Sequence, residues 1–148
     1  MKKLRLAVIV CLLIALGGLI AIAAQPSWLD DHPPTSTLVA TNPHGVTPRE
    51  AQALMAANRH NLDFVILDVR TPAEFATGHL SGAVNLDFHS PTFQADLAQL
   101  DRQKTYLVYC RRGIRSDRAR AMMVDLNFRQ LYDLLGGLSR WQREGLPL

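Results

Sequence analysis

Val108-Tyr109-Cys110-Arg111-Arg112-Gly113-Ile114-Arg115-Ser116 joins two kinds of local pattern. Thr105 to Tyr109 is β-branched and aromatic, which predicts a short buried strand, and from Arg115 onward apolar residues recur at helical spacing. A cysteine therefore sits where a strand ends and a helix is about to begin. In such a unit the free N–H groups of the loop and first helical turn converge on the loop's centre and favour an anion there. The anion expected is the Cys110 thiolate.

Working outward, the flanking segments alternate in type. Thr47-Pro48-Arg49-Glu50 is a capping box with proline at the first helical position, and Ala51, Leu54 and Met55 continue one apolar face. Leu62 to Val69 carries the continuous apolar run Phe64-Val65-Ile66-Leu67, expected of a strand buried on both faces. Thr71-Pro72-Ala73-Glu74 is a second capping box, opening a short helix that Gly78 closes. Ala83 to Leu86 is a short strand, and Ser90-Pro91 opens a helix ending near Leu100. After the cysteine loop, Ala119, Met122, Met123 and Leu126 line one helical face. Leu131 to Leu135 is the last strand, and Gly136-Gly137 turns into a closing helix around Trp141. This alternation predicts an α/β fold with a parallel sheet and helices on both faces, whose ligands bind beyond the carboxyl ends of the strands.

The chain has 148 residues, enough for one domain and an appendage. Residues 1–24 are that appendage, expected to be an export signal. Lys2, Lys3 and Arg5 form a positive start, Leu6 to Ala24 carries no charge, and Ala21-Ile22-Ala23 is a small-x-small pattern. The 19 uncharged residues also suit an uncleaved membrane anchor, and both readings stay open. In either case the remainder is translocated, which in a bacterium means the periplasm. Gln25 to Gly45, with four prolines, reads as a flexible linker, and the folded domain is expected over 46–148.

Three of the sixteen basic residues lie in the leader, so the other thirteen balance the thirteen acids. The net charge of +3 is therefore a targeting feature and no argument for nucleic acid. Cys11 belongs to the leader as well, which leaves Cys110 without a disulfide partner in a compartment that oxidises thiols. A buried core cysteine is the plain alternative, weakened by three arginines within five residues. The histidines lack ligand spacing, and the sequence holds no metal site, glycine-rich nucleotide loop or serine-hydrolase elbow.

Three stretches resemble one family. LDVRTPAEFATGHLSGAVNL, residues 67–86, looks like the first signature of rhodanese-type sulfurtransferases; VYCRRGIRS, residues 108–116, resembles their active-site loop; and GGLSRWQREGLPL, residues 136–148, is similar to their closing segment. The resemblance covers about Val46 to the C-terminus. It implies a sheet of about five mostly parallel strands flanked by helices, and transfer of a sulfane sulfur through a persulfide on Cys110, without a cofactor. Compact single-domain members exported to the bacterial periplasm are known, and this chain looks like one of them, acting as a monomeric domain.

Four residues separate Cys110 from Arg115, the loop length associated with sulfur transfer. The related phosphatases carry one residue more, and the residue at that longer spacing here is Ser116, which cannot hold a phosphate bidentately as arginine can. Phosphatase or arsenate reductase chemistry is the weaker reading; a non-catalytic or sulfur-carrier binding module and redox sensing by the thiol are the others.

A free thiol with a pKa of about 8.5 is only about 3% ionised at pH 7, and lowering it by two units takes about 2.7 kcal/mol, within reach of loop amides and one nearby cation. Cys110 is then expected to attack thiosulfate and pass the sulfur to cyanide or a thiol. Arg111 and Arg112 would attract the donor, Gly113 would allow the close turn, and the amides of residues 111 to 115, Ile114 included, would cradle the persulfide. Arg115 would face the donor or serve as a structural clamp. Ser116 is expected to cap the following helix. The resemblance also marks Asp68, Arg70, Glu74 and His79, which fit scaffold roles: an ion pair or loop brace for Asp68 and Arg70, and a capping or hydrogen-bonding histidine.

Overall fold

A computed structural model describes residues 45–148. The predicted leader, and the linker up to residue 44, lie outside the described residues. The described residues form nine elements in order: α1 (Pro48–Ala57), β1 (Phe64–Asp68), α2 (Pro72–Ala76), β2 (Val84–Asn85), α3 (Phe93–Gln99), β3 (Thr105–Tyr109), α4 (Ile114–Asp125), β4 (Gln130–Asp133) and α5 (Gly137–Arg143).

The four strands form one parallel sheet in the order β2-β1-β3-β4. The expected fifth strand is reduced to a single parallel bridge from Val46 to Leu134, because Pro48, already the first residue of α1, lacks the N–H a ladder needs. Both capping boxes form as the sequence predicts: Thr47 and Glu50 exchange hydrogen bonds at the start of α1, and Thr71 and Glu74 at the start of α2.

Several boundaries differ from the sequence reading by a residue or two, and three of the differences have a visible cause. Leu62 is 87% exposed and outside β1, since the Asp63 N–H donates to the Asn61 side chain and the Phe64 N–H to the Asn61 carbonyl, closing a turn first. Ser90-Pro91 likewise sits in a separate turn, closed by the Phe93 N–H on the Ser90 carbonyl, and α3 begins after it. The last strand runs over 130–133 instead of 131–135, because the Gly137 N–H already donates to the Leu134 carbonyl in the turn into α5.

Helices cover both faces. On one, Leu67, Tyr106, Val108 and Cys110 pack with Phe93 and Leu97 of α3 and Ala119 and Met123 of α4. On the other, Ile66, Leu107 and Tyr109 pack with Ala51 of α1 and Leu138 and Trp141 of α5. The strand period of two sends Tyr106, Val108 and Cys110 to the α4 side and Leu107 and Tyr109 to the α5 side. This alternation delivers the cysteine to the carboxyl end of the central strand, beneath the N-terminus of α4.

Candidate active site

Cys110 follows β3 directly and α4 begins four residues later. The residue before α4, Gly113, has φ 96°, a left-handed conformation that glycine adopts without strain, and its N–H donates to the Cys110 sulfur at 3.1 Å. The thiol is 2% exposed. Burial pushes its pKa up, but the backbone N–H groups of Ser116, Arg112 and Gly113 and the Ser116 hydroxyl outweigh this and hold it below the ordinary value. The stabilising donors are thus loop amides and one hydroxyl. Arg111 and Arg112 are exposed, and Ile114 turns its side chain outward at 61% exposure.

The loop is held from the α5 side. The Leu138 N–H donates to the Cys110 carbonyl and the Ser139 N–H to the Arg111 carbonyl, both at 2.9 Å. With these carbonyls facing α5, the following amides are free to face the sulfur. Gly137, at φ 58°, lies so close that a Cβ there would collide with the Cys110 carbonyl oxygen and sit 2.7 Å from the Arg111 carbonyl carbon. The sequence reading took Gly136-Gly137 for a turn only; two adjacent glycines at a strand–helix junction were the available signal of a close approach.

Arg115 is a clamp. Its guanidinium meets both oxygens of Glu74, at 2.7 and 2.8 Å, while Glu74 also accepts from Thr71 in the capping box. The Arg115 hydrogen bonds, with help from Thr71, overcome the effect of burial and hold the Glu74 carboxyl down at about 2. Arg115 also faces the Cys110 sulfur. The signature around α2 and the cysteine loop, far apart in sequence, are therefore one assembly.

Asp68 and Arg70 form a buried ion pair, 2.6 Å at its shortest. Arg70 also donates to the Gly78 carbonyl and lies 5.8 Å from the Tyr109 ring centroid. Asn85 bridges the carbonyls of both residues. Nδ1 of His79 lies 3.0 Å from the Phe75 carbonyl, and its ring stacks on Phe75 at 3.7 Å. These residues brace the segment after β1.

Ser116 is not a helix cap. Because α4 starts at Ile114 with Gly113 as its cap, Ser116 lies three positions too deep; it is fully buried and donates its hydroxyl proton to the Gly113 carbonyl at 3.1 Å. Asp133 at the end of β4, which the sequence did not single out, is 5% exposed and also faces the Ser116 hydroxyl. Its position is visible only once β4 is paired with β3.

Beside the loop a cleft of about 480 Å³ is lined by Arg70, Ala73, Glu74, Thr77, Gly78, Arg111, Leu138 and Gln142. A larger groove of about 760 Å³, with Arg49 and Trp141 in its walls, touches none of residues 110–116. Of residues 110–116, Arg111 lines the smaller cleft. Among the described residues no group of three His, Cys, Asp or Glu side chains is placed to hold a metal ion.

Residues 47–144 match the model of the rhodanese-like domain. The chain belongs to the rhodanese-like domain family. Among the relatives of this rhodanese-like chain is a thiosulfate sulfurtransferase GlpE of Stutzerimonas stutzeri, 37% identical over 98 residues, 66% of this chain and 83% of that protein. A sulfurtransferase of Allochromatium vinosum is 33% identical over 86 residues, 58% of this chain and 78% of that one. Among solved structures, a rhodanese-related protein of Thermoplasma volcanium superposes with a TM-score of 0.58 at 27% identity, covering 70% of this chain and 95% of that one. The relatives support a sulfurtransferase, and the fold is the rhodanese-like parallel α/β sheet.

Proposed function

We propose that this rhodanese-like domain is a thiosulfate sulfurtransferase working through a persulfide on Cys110. The Cys110 thiolate attacks the outer sulfur of thiosulfate. A sulfur–sulfur bond forms to Cys110, and the bond to the sulfonate breaks with its electron pair leaving on sulfite. A thiol or cyanide then takes the terminal sulfur and returns the thiolate.

The observation that carries this reading is the convergence of the Arg112, Gly113 and Ser116 amides on one buried sulfur whose pKa they lower. A persulfide is likewise an anion, so the same donors suit the resting enzyme and the intermediate. The exposed guanidinium groups of Arg111 and Arg112 supply attraction for the dianionic donor. Ser116 rather than an arginine stands at the longer spacing from Cys110, which favours sulfur transfer over phosphatase chemistry. We also propose that residues 1–24 export the domain to the periplasm, as cleaved signal or anchor, and that the domain acts as a monomer.

The test is thiocyanate formation from thiosulfate and cyanide by the full chain beside Cys110→Ser. Activity is expected only in the unaltered protein, with one added sulfur atom on its intact mass after thiosulfate alone. Equal activity in both proteins would refute the assignment of the nucleophile.

A further inference from the structure

We infer that Asp133 is a positioning residue that sets the charge state of the Cys110 sulfur by competing with it for the single proton of the Ser116 hydroxyl. The inference rests on the proposed function only in taking Cys110 as the nucleophile.

The geometry is a three-way competition. Ser116 has one hydroxyl proton, is fully buried, and faces three acceptors: the Gly113 carbonyl, which receives the proton at 3.1 Å, the Cys110 sulfur and the Asp133 carboxyl. Asp133 ends β4 opposite Val108, two residues before the cysteine on the adjacent strand. Its Oδ1 is buried without a hydrogen-bond partner, so this carboxyl remains under-satisfied where water cannot reach it. From α4, besides Ser116, Asp117 adds a like charge and Arg120 an opposing one; the β3 residue paired with it is apolar, and Val46 contributes only a backbone N–H, 2.8 Å from the Asp133 carbonyl. Facing the sulfur, the charged side chain is that of Arg115.

Burial, with Asp117 adding to it and Ser116 and Arg120 opposing it, pushes the Asp133 carboxyl up to about 6. It therefore changes charge close to neutrality. An ionised Asp133 draws the hydroxyl proton away from the sulfur and adds a like charge behind it; both disfavour the thiolate. A neutral Asp133 instead offers its own proton to the Ser116 oxygen and frees the hydroxyl proton for the sulfur. The two groups titrate as a coupled pair through one side chain.

The test is the pH dependence of Cys110 alkylation by iodoacetamide in the full chain, resolved by peptide mass so that Cys11 does not contribute. Asp133→Asn should move half-ionisation down by about one unit. Below that pH this gives about tenfold more thiolate and, after the loss of intrinsic nucleophilicity, about threefold faster alkylation. In a Ser116→Ala background the same substitution should give a clearly smaller shift, the remainder left by the like charge alone. An unmoved profile in Asp133→Asn would overturn the inference, as would a shift persisting in full without Ser116, which would mean a bare charge effect. Should Asp133→Asn not fold, the ¹³C carboxyl resonance of Asp133 in the unaltered protein serves instead. It must show a second inflection at the pH where Cys110 ionises, lost in Cys110→Ser; its absence overturns the inference. None of these readouts measures sulfur transfer, so a chain with this coupling and no sulfurtransferase activity would sink the proposed function alone.

Discussion

The Arg115 guanidinium and the Glu74 carboxylate, 41 residues apart in sequence, meet through two hydrogen bonds of 2.7 and 2.8 Å that tie the start of α4 to the start of α2. Because Glu74 is also the acceptor of the α2 capping box, a single carboxylate orders both ends of the loop's support.

This pair makes stability depend on pH in a definite direction. The folded pKa of Glu74, about 2, lies below the ordinary 4.5, so its contribution is complete above about pH 4.5 and is lost as pH falls toward 2. Glu74→Gln should cost about 1 kcal/mol at pH 7, after allowance for solvent screening of this partly exposed pair, and flatten the acid limb of the stability curve. Urea titrations at pH 7 and pH 3 check this: the gap between the two proteins should shrink at the lower pH.

Asp133 works in the opposite sense. Its folded pKa of about 6 lies above the ordinary 3.8, so its favourable contribution is present below about pH 4 and lost as pH rises through 6. Asp133→Asn should stabilise the domain by about 2 to 3 kcal/mol at pH 7.5 and converge with the parent near pH 4, as measured by chemical denaturation.

Gly137→Ala should both destabilise the domain and disturb the thiol. A methyl group there meets the Cys110 carbonyl in a backbone conformation that alanine resists. A loss of about 2 kcal/mol or more and a rise in the pH of Cys110 ionisation are expected, read by thermal melting and alkylation. Normal thiol ionisation would show that the loop's contact with α5 does not orient its amides.

Removing the buried cation at Arg70 leaves Asp68 charged and unpaired. Arg70→Ala should cost about 3 to 5 kcal/mol in equilibrium unfolding, far more than any exposed ion pair.

Arg111→Ala and Arg112→Ala should leave stability within about 0.5 kcal/mol, since both side chains are exposed. Under the proposed function they should raise KM for thiosulfate severalfold and weaken its dependence on ionic strength. An unchanged KM in both would remove them from donor recognition.

Much of this was legible in the chain because it is local. A capping box spans four residues, so Thr47-Pro48-Arg49-Glu50 and Thr71-Pro72-Ala73-Glu74 announced α1 and α2 before any packing was known. The change of period around Cys110 likewise placed the cysteine between β3 and α4. By itself, then, the sequence determined the alternating elements, the parallel α/β class and the position of the nucleophile, since each follows from residue spacing within one or two turns. Only the tertiary structure decided what surrounds the sulfur. That Asp133 stands behind Ser116, that α5 takes the carbonyls of Cys110 and Arg111, and that Arg115 turns to Glu74 all depend on contacts between segments 17 to 41 residues apart. Hydrogen bonds and desolvation act through space, and until the sheet is assembled no pattern along the chain specifies which buried donors and acceptors will meet.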